Sequence, residues 1–108
     1  MSMNIQFKKG VLELCVLVLL SKRDYYGYEL ISKISERIEI AEGTVYPLLR
    51  RLTKEGFFRT YLQESGEGPV RKYYSITDRG REYGNVLLDE WSRFVESVNG
   101  LVTKEDKS

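Results

Sequence analysis

The sequence predicts a mainly α-helical protein with one small β-hairpin and a long helix at its C-terminal end. Three observations carry that prediction. Apolar residues recur at helical spacing in three stretches before residue 56 and in one after residue 77. Between them the pattern changes to aromatic and β-branched runs flanking a Gly/Pro turn. The last helical stretch carries an apolar stripe too long for so small a chain to cover by itself.

Residues Gly10 to Leu20 are apolar almost all round, as in a buried helix, with Glu13 as the interruption. Ser21 to Asp24 is a polar break. Gly27 to Glu39 predicts a second helix, with Leu30, Ile31, Ile34 and Ile38 on one face. A third follows within a few residues, from about Glu42 to Glu55. Two helices joined by so short a turn form a helix-turn-helix.

The third helix has two faces. Val45, Leu48, Leu49 and Leu52 form a stripe suited to a core, whereas Thr44, Arg50, Arg51 and Lys54 offer polar and cationic groups. Gly43 leaves the first turn bare, so a ligand can approach the backbone closely. Gly56 ends the helix as a C′ glycine would.

Phe57 to Gln63 and Val70 to Thr77 then predict two strands, separated by the turn cluster Glu64-Ser65-Gly66-Glu67-Gly68-Pro69. Three helices followed by a hairpin is the order of a winged helix-turn-helix. The fourth helix opens at Thr77-Asp78, a hydroxyl cap followed by an acidic first-turn residue, and runs to about Asn99-Gly100. Tyr83, Leu87, Trp91, Phe94, Val98 and Leu101 line one side, with Leu88, Val95 and Val102 on its flank. A second copy of the chain is the natural cover, so a symmetric dimer is expected, with Leu87, Leu88, Trp91, Phe94, Val95 and Val98 at its interface. The chain thus divides into a winged helix-turn-helix domain at 1–77, a dimerisation helix at 78–102 and a polar tail at 103–108 expected to be disordered.

Composition narrows the function. With 108 residues, 31% charged and 42% apolar, the chain fits one globular domain with a helical arm. It has no His, and its single Cys15 lies in the apolar run, so an internal disulfide is excluded and a His/Cys metal site is not expected. The apolar run is too short for a membrane helix, and no leader with a cleavage site precedes it; a cytoplasmic protein is expected. Acid–base chemistry without His would need strongly perturbed groups, and no Gly-rich loop leads into a helix. Catalysis and cofactors are therefore not expected.

Binding to double-stranded DNA fits better. Residues 1–60 carry ten Lys/Arg against seven Asp/Glu, a mild basic bias on the side of the third helix. That helix could enter a major groove with Thr44, Tyr46, Arg50 or Arg51 reaching bases or phosphates. Equally, Arg50, Arg51 and Lys54 could simply solvate an exposed face. Tyr26 and Tyr28 at the start of the second helix could meet phosphates, or could be core. Arg71 and Lys72 sit near the hairpin tip, where strand alternation puts them on opposite faces. Glu64 and Glu67 at that tip would repel phosphate, which leaves a winged-helix module that binds protein and not DNA as the competing expectation.

These residues resemble the PadR-type transcriptional regulators, in the small subfamily with one C-terminal helix. The resemblance is carried by Tyr26-Gly27-Tyr28-Glu29-Leu30, by Glu42 to Leu52, and by Arg71-Lys72-Tyr73-Tyr74-Ser75-Ile76-Thr77 with Gly80, and covers about residues 8–98. It implies a dimeric winged-helix repressor whose third helix enters the major groove while the wing touches the flanking backbone. It implies DNA-facing roles for Tyr26, Gly43, Thr44 and Tyr46, with Arg71 and Lys72 on the wing. Some relatives bind planar aromatic effectors at the dimer interface, which makes Trp91, with Cys15, the candidate for such a site; ordinary interface packing is the alternative for Trp91. Two departures stand out. Ala41 replaces a hydroxyl cap on the third helix, forgoing about 1 kcal/mol. The wing tip reads Gly68-Pro69-Val70-Arg71 in place of a more basic turn, implying fewer phosphate contacts and lower salt sensitivity.

Overall fold

In the computed structural model, which describes residues 5–64 and 66–103, the chain runs α1 (Ile5–Lys22), β1 (Tyr25–Tyr26), α2 (Gly27–Ser35), α3 (Glu42–Lys54), β2 (Phe58–Gln63), β3 (Arg71–Ile76) and α4 (Asp78–Val102). Of the tail 103–108 expected to be disordered, Thr103 is the C-cap of α4, its N–H donating to the Asn99 carbonyl at 3.0 Å, and 104–108 lie outside the described residues.

The core forms where the apolar helix faces converge. Leu12, Val16, Leu17 and Leu20 of α1 meet Leu30, Ile31 and Ile34 of α2, Val45, Leu49 and Leu52 of α3, and Phe58 and Tyr74 of the sheet. Each aliphatic side chain buried there contributes about 1.5–3 kcal/mol. Gly10 does not stop α1, which starts earlier than the apolar pattern suggests; a helical glycine costs about 1 kcal/mol and does not break a helix. Conversely, α2 ends at Ser35, short of Glu39, because Arg37 and Ile38 both donate to the Ile34 carbonyl in a closing turn. That turn lets Ile38 and Ile40 pack on the core from the linker.

α3 begins at Glu42 without a side-chain cap from Ala41, whose carbonyl accepts from the Thr44 N–H at 3.0 Å. It ends in a Schellman turn: Gly56 adopts φ +89°, its N–H donates to the Thr53 carbonyl, and Phe57 donates to Leu52. The three strands are antiparallel in the order β1-β3-β2. At the start of α4, Thr77 Oγ1 accepts from the Gly80 N–H at 3.0 Å and donates to the Gly56 carbonyl at 2.7 Å, so one hydroxyl caps α4 and ties it to the end of α3. Gly80 is required where α4 crosses the strand: a Cβ there would overlap the Phe57 carbonyl and come within 2.7 Å of Ile76 Cγ1.

Candidate nucleic-acid interface

The buried stripe of α3 fixes what the helix presents outward. With Val45, Leu49 and Leu52 facing the core, the opposite side is a ridge of Gly43, Pro47, Arg50 and Lys54, all exposed. Gly43 has open space where a Cβ would be, so nothing inside the protein requires a glycine there. Pro47, inside the helix, withholds the N–H that the Gly43 carbonyl would otherwise accept. Gly43 is thus bare on two counts, and Arg50 and Lys54 form no ion pair among the described residues.

Thr44 and Tyr46 flank this ridge. Thr44 is half-buried on the side that faces α1, beside Gly10, Leu12 and Glu13. Tyr46 lies on the other side, its ring against Gly27 at the start of α2, where a Cβ would stand 2.9 Å from Cε1. Gly27 therefore seats Tyr46. Tyr26 caps α2 by backbone conformation alone and is half-buried, whereas Tyr28 is exposed.

The sheet register separates the wing cations, as alternation requires. Tyr73 lies between Tyr26 and Tyr61 in one cross-strand row, on the face that also carries Arg71. Tyr61 stacks on Tyr73 at 5.5 Å, Tyr26 tilts against it at 5.6 Å, and the Arg71 guanidinium lies 4.5 Å over the Tyr26 ring. The Tyr61 hydroxyl donates to Asp24 at 2.7 Å, closing the row onto the segment before α2. Lys72 is on the opposite face with Tyr74, 5.8 Å from its ring centroid. Burial raises the Tyr74 phenol above its ordinary range, Tyr46 adds to that, and the nearby Arg50 charge opposes it. Arg50 and Lys72 thus approach the same tyrosine, one from α3 and one from the wing. At the tip, Leu62 and Val70 are exposed alongside Glu64 and Glu67.

Arg51 is engaged inside the molecule. It pairs with Glu13 of α1 at 3.3 Å and Glu55 at 3.1 Å, so its charge is partly spent holding α3 in place.

The two effector candidates do not meet within one chain. Trp91 lines a groove of about 200 Å³ with Gly10, Val11, Leu14, Leu87 and Phe94. Cys15 lines another, of about 410 Å³, between α1, α2 and Leu88. Burial pushes the Cys15 thiol up, away from the reactive thiolate. Along α4, Leu88 and Phe94 are exposed, and Leu87, Trp91, Val95 and Val98 are half-buried.

The profile of the transcriptional regulator PadR-like family matches residues 16–85. The chain belongs to that family. Among PadR-like proteins, the negative transcriptional regulator PadR of Bacillus subtilis is 36% identical over 78 residues, which cover 67% of this chain but only 42% of PadR. A PadR-like regulator from Bacillus cereus superposes with a TM-score of 0.84 at 41% identity, covering 93% of this chain and 99% of that one. Bacillus subtilis PadR, solved in complex with operator DNA, superposes at 0.65 with 29% identity over 72% of this chain and 46% of that one. The winged-helix architecture read from the sequence is that of the PadR-like regulators. They are regulators and not enzymes, in line with the empty catalytic inventory. Among the described residues, no helix is long and apolar enough to cross a membrane.

Two parts of this surface escape a reading of the PadR-like motifs alone. Pro47 completes the exposed ridge, and its helical spacing from Gly43 and Arg50 was the available signal. The Tyr26–Tyr73–Tyr61 row depends on strand register, which no local spacing reveals.

Proposed function

We propose that the protein is a homodimeric, sequence-specific DNA-binding transcriptional regulator that represses from a palindromic operator. The observation that carries this reading is the exposed Gly43 in the first turn of α3, with open space at its Cβ position, continued by Arg50 and Lys54, which form no ion pair among the described residues, and adjoined by Lys72 of the wing. A helix ridge with a glycine where the backbone must be approached, followed by cations, suits a major groove and its phosphates. The operator-bound PadR supports the same use of the fold, and the negative regulation in its name supports repression. In this reading Gly43, Thr44 and Tyr46 contact the groove, Tyr26 and Tyr28 the phosphates at α2, and Arg71 and Lys72 the flanking backbone. Arg50 supplies charge, and Arg51 mainly sets the helix.

The exposed stripe of α4 supports dimerisation, and two-fold symmetry implies an inverted repeat with half-sites about 34 Å apart. The test is titration of the protein against duplexes from upstream of its gene at several salt concentrations. Affinity should fall with salt and favour an inverted repeat. Salt-independent binding, or no preference among duplexes, would overturn the proposal.

One observation favours a second reading. Exposed Leu62 and Val70 beside Glu64 and Glu67 make a wing tip suited to a protein partner as much as to phosphate. Charge reversal of Arg50 and Lys72 that leaves cellular regulation intact would select it. Release by a planar aromatic effector belongs to the first reading, with Trp91 as its reporter. Saturable quenching of Trp91 fluorescence supports an effector site, and no quenching at millimolar ligand removes it.

A further inference from the structure

α1 is a buried, apolar helix, yet it carries Glu13 in its middle with a side chain only 16% exposed. Both carboxylate oxygens are used. Oε1 accepts from the Tyr83 hydroxyl of α4 at 2.7 Å, and Oε2 lies 3.3 Å from the Arg51 guanidinium of α3. Arg51 is further held by Glu55 at 3.1 Å, and the Tyr83 ring stacks on Phe57 at 4.5 Å, just past the end of α3. Burial and the hydrogen bond to Glu13 together push the Tyr83 phenol up to about 12. Three helices that share no sequence neighbourhood therefore meet on a single carboxylate.

A partly exposed ion pair of this kind adds at most about 1 kcal/mol, and an apolar residue would suit α1 as well. Its position argues for another role. Arg51 adjoins the exposed ridge of α3, and Tyr83 begins the stripe that continues through Leu87 and Trp91 along α4. We propose that Glu13 is a positioning residue coupling α4 to α3: by tying Tyr83 to Arg51 it makes the set of the groove-reading helix depend on where α4 lies. The coupling rests on the DNA-binding reading for its consequence, but not for its geometry. A ligand or partner subunit that moves the first turns of α4 would thereby alter the outward face of α3 without touching it.

The experiment compares wild type, Tyr83→Phe, Glu13→Gln and the double variant in the full chain. Tyr83→Phe removes one hydroxyl and keeps the ring on Phe57. The first readout, independent of DNA, is hydrogen exchange of the backbone amides of residues 42–54. The coupling is supported when Tyr83→Phe, on α4, speeds exchange in α3 and the double variant adds nothing to Glu13→Gln. Exchange changes confined to α1 and α4, or additive in the double variant, overturn it. The second readout is the ratio of affinities for an inverted-repeat duplex and a scrambled one. Each single variant should lower that ratio about five- to tenfold; Tyr83→Phe should leave binding to the scrambled duplex unchanged, whereas Glu13→Gln, which removes a negative charge beside Arg51, should tighten it. An unchanged ratio in variants whose α3 exchange has risen overturns the functional consequence. A wild type without any preference overturns the DNA-binding reading and leaves the exchange result to stand alone. Should Glu13→Gln fail to fold, Tyr83→Phe decides by itself.

Discussion

Gly43 is exposed within α3, with open space where its side chain would be. Alanine there satisfies the fold better, so Gly43→Ala should raise stability by about 0.5–1 kcal/mol in a denaturant titration. The same methyl group would stand between the helix and a groove, and operator affinity should fall about tenfold. Opposite signs in the two measurements would identify a glycine kept for its ligand; unchanged affinity would remove it from the interface. Gly80 behaves in the contrary way. Alanine there meets the Phe57 carbonyl and Ile76, and Gly80→Ala should destabilise by about 1–3 kcal/mol. Of the candidate residues, Gly43 was legible in the sequence because a glycine in a helical pattern asks for a reason. Arg50 and Arg51 were not separable: both sit off the apolar stripe, and only the fold brings Glu13 to Arg51, leaving Arg50 without an ion pair among the described residues.

Elements whose ends carry their own chemistry are legible in the sequence. Gly56 at φ +89° and the Thr77 hydroxyl mark the end of α3 and the start of α4, and both were visible as residue types in place. Thr77→Ala should cost about 1 kcal/mol from the cap alone, and more through the lost bond to Gly56, measurable as a lower melting temperature. β1 is not legible in the sequence, because two residues cannot display a period of two and its pairing partner Tyr73-Tyr74 is far along the chain. The early end of α2 is likewise hidden, because Ile38 continues the helical spacing while packing from a turn. Contacts between elements also set the response to alkali. The folded-state phenol of Tyr83 titrates near 12, above its ordinary 10, so folding favours the protonated form. Its contribution is complete below pH 10 and is lost as pH rises through about 12. Tyr61, through its bond to Asp24, and Tyr74, through burial, shift in the same direction. The melting temperature should therefore fall across pH 10–12, and Tyr83→Phe should shallow that fall without abolishing it. A parallel decline in wild type and variant would show that Tyr83 contributes nothing to it.

The molecule is elongated, 62 Å along its long axis against 21 Å at its narrowest, and α4 is its longest element. Its 25 residues make a rod of about 37 Å, and among the described residues its turns up to Leu87 pack against the winged-helix core. Beyond these, Phe94 is 54% and Leu101 85% exposed, with Val102 and Leu88 also open to water. A monomer rarely leaves such a stripe uncovered, so association should supply the missing partner surface. Because the partner binds only the folded state, the melting temperature should rise with protein concentration. Replacing Phe94 and Leu101 together by Glu puts charges on the exposed part of the stripe, where the Phe94 ring meets Trp91 and Leu101 is open to water. The variant should keep its helical circular-dichroism spectrum, halve its sedimenting mass, and lose about a hundredfold or more in operator affinity as two linked half-site contacts become one. A variant that stays dimeric would place the interface elsewhere. One that turns monomeric yet binds the inverted repeat as tightly as wild type would show that each domain reads its half-site alone, and the palindrome would have no structural basis in this chain.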